Sequence, residues 1–144
     1  MLLIRPTPGA CVDRQTILRL KMEEAARTGV DARHFAEEHK ALQVYLEENW
    51  FSSGQPDWTE EFAACTSELA RVNQALWHLE DEIRHLKSLA PEERQPKTER
   101  LVTIALAIPE LNDERARIVS KIDTLFGVRA QEKLYRASSD TNKK

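Results

Sequence analysis

A chain of 144 residues, 41% hydrophobic and 31% charged with only four glycines, is long enough for one domain with a true core and too short for two ordinary ones. Its net charge of −3, with Lys and Arg interleaved among Asp and Glu, leaves no basic footprint for nucleic acid, and no apolar run approaches a membrane span. Abundant Ala, Leu, Glu, Arg and Lys predict a helical protein rather than a disordered or all-β one.

Leu2, Leu3 and Ile4 are read as a short amino-terminal strand or an apolar plug. Thr7 followed by Pro8 is an N-cap with proline at the first helical position, where the lost N–H has no partner to miss. The first helix is expected from Pro8 to Arg27, with Val12, Ile17 and Leu20 inward, and it ends at Gly29. Asp31 is expected to cap a second helix reaching about Asn49, with Phe35, Leu42 and Leu46 inward and His39 beside them. The Ser-Ser-Gly-Gln-Pro run before Asp57 is a loop, and Asp57 with Glu60 resembles a capping box.

From Phe62 to Leu86 an apolar residue recurs at alternating three- and four-residue steps: Phe62, Cys65, Leu69, Val72, Leu76, Leu79, Ile83, Leu86. This predicts one long amphipathic helix from the Asp57 cap to about Leu89, on the order of 50 Å and the dominant strut of the fold. Ala90 to Lys97 holds two prolines and reads as a connection, so the next helix, Thr98 to Phe126, packs antiparallel to the strut. Pro109 inside it predicts a kink. Val128 to Tyr135 reads as a last short helix or an extended arm, and Ala137 onward as a frayed polar tail. The expectation is an all-α antiparallel bundle of about four helices, one domain over residues 1–136 with a disordered tail over 137–144.

The last long helix carries its own stripe, Leu101, Ile104, Ile108, Leu111, Ile118, Ile122 and Leu125, but Arg115 occupies the middle slot. A cation in a seam needs a partner. If the two long helices hinge about the Ala90 to Lys97 link, facing residues have numbers summing to roughly 187. Asn73 then faces Glu114 and Trp77 faces Glu110, near Asn112, Asp113 and Arg115. Asn73, Trp77, Glu80 and Arg84 form a stripe bordering the seam, and Glu80 with Arg84 is an i,i+4 ion pair.

Two readings of Arg115 follow. In one it is satisfied by Asn73, the Trp77 ring face or an acid such as Asp13, and fixes helix register. In the other, Arg115, Lys21 and Arg84 line a pocket for an anionic ligand, oriented by Asp13, Glu80 and Asp81. Glu82 and His85 make one E-x-x-H where a di-iron bundle needs two. His78 and His85 lie about 10 Å apart along a helix, too far to chelate one ion, so neither metal nor cofactor is expected. Cys11 and Cys65 lack the basic neighbours of a nucleophile. With no secretory segment they fit a reducing, cytoplasmic setting.

Several stretches together resemble an uncharacterised family of small bacterial proteins, a domain of unknown function sometimes met near or fused to glycosyltransferase-type proteins. They are Pro8-Gly9, Asp13 with Thr16-Ile17-Leu18 and Lys21; Asn73 with Leu76-Trp77, Glu80-Asp81, Ile83 and Arg84; Asn112-Asp113 with Arg115-Ala116; Gly127; and Glu132-Lys133 with Tyr135. The chain departs from that pattern at Arg19, where a glutamate is expected, and at Val128, where a serine is usual. The resemblance implies a bacterial, surface-glycan context and no specific chemistry.

The leading expectation is a non-enzymatic accessory protein that forms a homodimer or docks on a protein partner, without nucleic acid or membrane. The alternatives are a module binding an anionic small molecule, such as a phosphorylated sugar or dicarboxylate, and an all-helical chorismate-mutase-like enzyme holding a dicarboxylate with Arg115, Lys21 and Arg84.

Overall fold

The computed structural model describes residues 5–51 and 59–128. Helix α1 (Pro8–Thr28) starts where the Thr7 hydroxyl accepts the N–H of Ala10, and it stops at Gly29, whose φ of 74° is the left-handed conformation that glycine takes without a Cβ clash. Helix α2 (Arg33–Asn49) follows. Its N-cap is Ala32, without a side-chain bond, which corrects the expected Asp31 cap. Asp31 instead accepts the Arg33 N–H at 3.0 Å and grips the Arg33 guanidinium, so the acid sits one residue too early to cap the first turn.

Helix α3 (Thr59–Ser88) is the long strut, about 45 Å at 1.5 Å per residue. The connection folds into a single turn, α4 (Pro91–Arg94), and a 3-10 turn over Gln95–Lys97. Helix α5 (Thr98–Leu125) then runs through Pro109 and closes toward Gly127, φ 80°. The described residues contain no strand, and none of their helices is long and apolar enough to cross a membrane. The readings of Leu2 to Ile4, of the Ser52 to Pro56 loop and Asp57, and of the arm and tail beyond Val128 fall outside the described residues.

Side-chain pairs fix how the helices run. Arg71 meets Glu114 and Glu82 meets Arg100, so α3 and α5 are antiparallel. Arg14 meets Glu38 while Tyr45 donates to the Pro6 carbonyl, so α1 and α2 are antiparallel too. Gly9 near Asp123 and Asp13 near Arg115 set α1 antiparallel to α5. The result is an antiparallel bundle of four long helices in which α1 touches all three others.

Both apolar stripes face inward. Leu69 and Val72 from α3, Ile118 and Ile122 from α5, Cys11 and Val12 from α1 and Leu46 from α2 form one cluster, flanked by Trp50, Phe51, Phe62 and Phe126. On α1 the buried face differs from expectation: Cys11 and Leu18 are enclosed, while Ile17 and Leu20 are only half-buried. Because α1 is flanked by three helices rather than one, a broader and rotated arc of its surface is covered.

Candidate functional site

The seam position of Arg115 is resolved by α1. Its Nε donates to Asp13 Oδ1 at 2.9 Å and its Nη2 to Asp13 Oδ2 at 2.6 Å, the two-pronged pairing that suits guanidinium and carboxylate. Asn73 on α3, a buried residue, spends its amide N–H groups on Asp13 Oδ1 at 2.8 Å and Thr16 Oγ1 at 2.6 Å. The Thr16 hydroxyl in turn donates to the Asp13 carbonyl at 2.7 Å. Three helices are thus tied at one level by four side chains.

Asp13 is 15% exposed and Arg115 32%. The hydrogen bonds that Arg115 donates to Asp13 raise the Arg115 pKa above its ordinary value despite burial, and Glu80 adds a weaker attraction. Asp13 was the acidic partner anticipated from the sequence, and Asn73 joins it. The Trp77 ring is not the partner.

The remaining candidates do not gather there. The α3–α5 register is shifted from the expected pairing by two residues at Arg71–Glu114 and five at Glu82–Arg100. Arg71, not Asn73, therefore meets Glu114, and Asn73 turns toward α1. Asn112 and Asp113 are exposed and form no hydrogen bond or ion pair among the described residues. Arg84 bonds Asp81 rather than Glu80, which stays exposed within the field of Arg115. Lys21 lies two turns beyond Asp13 on α1, about 12 Å along the axis, with its ammonium over the Phe35 ring at 5.5 Å. Arg84 is about 16 Å along α3 from Asn73. Lys21, Arg84 and Arg115 thus do not converge on a single anion.

Glu82, the acid of the E-x-x-H pair, is engaged by the Arg100 guanidinium, which holds its carboxyl below the usual range. Among the described residues no group of three His, Cys, Asp or Glu side chains could hold a metal ion.

A second polar contact escaped sequence reasoning. The Asp123 carboxylate, buried on α5, accepts the N–H of Gly9 at 2.7 Å and so caps α1 from a neighbouring helix, where a negative charge meets the positive end of the helix dipole. The approach is close enough to require glycine. A Cβ at position 9 would stand 2.3 Å from the Val119 carbonyl oxygen and 2.7 Å from Asp123 Oδ1. Nearby, desolvation and then the Asp123 charge push the Cys11 thiol up to about 11. Burial likewise raises Cys65, so both cysteines are protonated core residues.

Trp77 turns to a different feature, an open cleft between α1, α2 and α3 that it lines with Lys21, Ala25, Val30 and Phe35. No family model matches this chain, and no curated protein or solved structure matches it.

Proposed function

We propose that this chain is a non-enzymatic interaction protein, a helical-bundle accessory that self-associates as a homodimer or docks on a protein partner. The supporting observation is the outer face of α5. Val102 and Leu106, one helical turn apart, are 51% and 67% exposed although the same helix buries Ile104 completely. Large apolar side chains repeated at helical spacing on an outer face suit contact with another protein surface. At the same time Arg115, the strongest candidate for binding chemistry, already has its Nε and Nη2 on Asp13, which suits a structural tie better than a waiting ligand site.

The resemblance to the bacterial family adds a setting, support of surface-glycan assembly from the cytoplasmic side. This reading calls for no cofactor, nucleic acid or membrane insertion. The test is sedimentation of the full chain across a range of concentrations, beside a variant carrying Val102→Lys and Leu106→Lys. The wild type is expected to associate and the variant to stay monomeric with unchanged helical circular dichroism. A wild type that is monomeric throughout, and whose partner capture is unaffected by the two lysines, overturns the reading.

A further inference from the structure

The cleft beside Trp77 has the makings of a ligand site distinct from the outer α5 face. Its volume is about 290 Å³, just below the roughly 300–1,000 Å³ usual for small-molecule sites. Three elements build it: α1 supplies Ala25 and Thr28, α2 supplies Phe35 and α3 supplies Trp77, with Val30 from the α1–α2 link at its rim. Val30 is 61% exposed, an apolar side chain left in water at the mouth of an apolar depression.

The charges on the wall decide what the cleft favours. Glu24 and Lys21 both line it, but they are not equally available. Both Glu24 carboxylate oxygens are taken by the Arg27 guanidinium. Lys21 forms no ion pair or hydrogen bond among the described residues, and its ammonium rests only over the Phe35 ring. Glu38, whose carboxyl feels the Lys21 charge, has its two oxygens bonded to Arg14. The wall is therefore apolar and aromatic with one unneutralised cation. It offers no array of hydroxyl and amide groups of the kind a sugar needs.

We propose that this cleft binds a compact aromatic or apolar molecule carrying a single anionic group, its body against Phe35 and Trp77 and its head at Lys21. The aromatic faces contribute desolvation, and the Lys21 ammonium selects the sign of the head group.

Two fluorescent probes of nearly the same shape test this: 1-anilinonaphthalene-8-sulfonate, which carries an anionic head, and uncharged N-phenyl-1-naphthylamine. The sulfonate is expected to bind saturably at one site, about tenfold more tightly than the neutral probe. Lys21→Met abolishes that preference while leaving the neutral probe unaffected. Val30→Asp, which places an acid on an exposed rim position where folding is not at stake, weakens the sulfonate in the same direction. Trp77→Ala weakens both probes. Equal affinity for the two probes overturns the proposal. So does non-saturable binding, or sulfonate affinity that stays within about twofold in both Lys21→Met and Val30→Asp.

Discussion

The two ends of the bundle are built from the same kinds of helix yet hold together differently. At one end the start of α1, the close of α2, the first half of α3 and the last half of α5 converge. There Leu69, Val72, Ile122 and Leu46 are fully enclosed, and the rings of Trp50, Phe51, Phe62 and Phe126 lie edge to face around them. At the other end Leu86 and Ile104 are buried, but Val30, Val102 and Leu106 stand in water and a cleft separates α1, α2 and α3. Surface ion pairs such as Arg27–Glu24 and Arg84–Asp81 populate that end, and pairs of this kind contribute little individually. The Asp13, Thr16, Asn73 and Arg115 knot lies between. Amphipathic helices alone therefore do not ensure an evenly packed bundle. What distinguishes the ends is how completely side chains fill the space between the helices.

The largest expected effect tests that difference directly. Leu69→Ala, at the closed end, leaves a cavity walled by residues that cannot collapse and is expected to cost about 4–5 kcal/mol in urea unfolding. Leu86→Ala deletes the same atoms from a site that water reaches more easily, and is expected to cost nearer 2 kcal/mol. Equal losses at the two positions would show that the ends are alike in rigidity and that the comparison is mistaken.

A smaller effect separates the knot from both ends. Asp13→Ala strands the Arg115 guanidinium and leaves Asn73 with one partner fewer, a loss of about 2–3 kcal/mol once the partial exposure of the arginine is allowed for. The pair Asp13→Leu with Arg115→Met removes both charges and is expected to come within about 1 kcal/mol of wild type. Closed with the single variants Asp13→Leu and Arg115→Met, the double-mutant cycle is expected to yield a large coupling energy alongside a nearly neutral double variant. A double variant as damaged as the single one would mean that the charges themselves, rather than the avoidance of an unpaired one, stabilise the fold.

The helices were legible because their signals are local. Thr7 and Pro8 open α1, Gly29 and Gly127 take the left-handed turns that close α1 and α5, and the three-four stripes mark the inward faces. The seam arginine was visible for the same reason, since a charge interrupting a stripe needs no partner to be noticed. Its partner, 102 residues away, required knowing how α1 lies against α5. Asn73 stands out beside the seam, but its partners on α1 do not, because the α4 and 3-10 turns shift the register that a simple hinge between α3 and α5 gives. Arg84 could reach either Glu80 or Asp81 from its own helix. It bonds Asp81, and Glu80 adds weakly to the attraction that Asp13 exerts on Arg115. Asp123 gave no signal at all. Beside Ile122 it reads as a helix-surface acid, and its partner is a backbone N–H that no side-chain pattern announces.

The cysteines sharpen the comparison with a gentler probe, since both lie in the closed end. Alkylation requires a thiolate in contact with solvent, and Cys11 is both enclosed and held protonated up to about 11 against an ordinary 9.0. At pH 8 the native protein is expected to react with a thiol reagent only as fast as that end opens. A thiol introduced by Val30→Cys, at a position 61% exposed at the other end, is expected to react at once. The same shift fixes a pH dependence. Above pH 9 the unfolded chain loses the Cys11 proton that the folded chain keeps, so stability is fully present below 9.0 and is lost as pH rises toward about 11. Cys11→Ala is expected to flatten that decline. An alkaline decline that persists unchanged in Cys11→Ala would show that Cys11 is not its source. If Cys11 labels as quickly as the thiol at 30, then the closed end opens as readily as the end with the cleft. The fuller packing of that end would then no longer account for its stability.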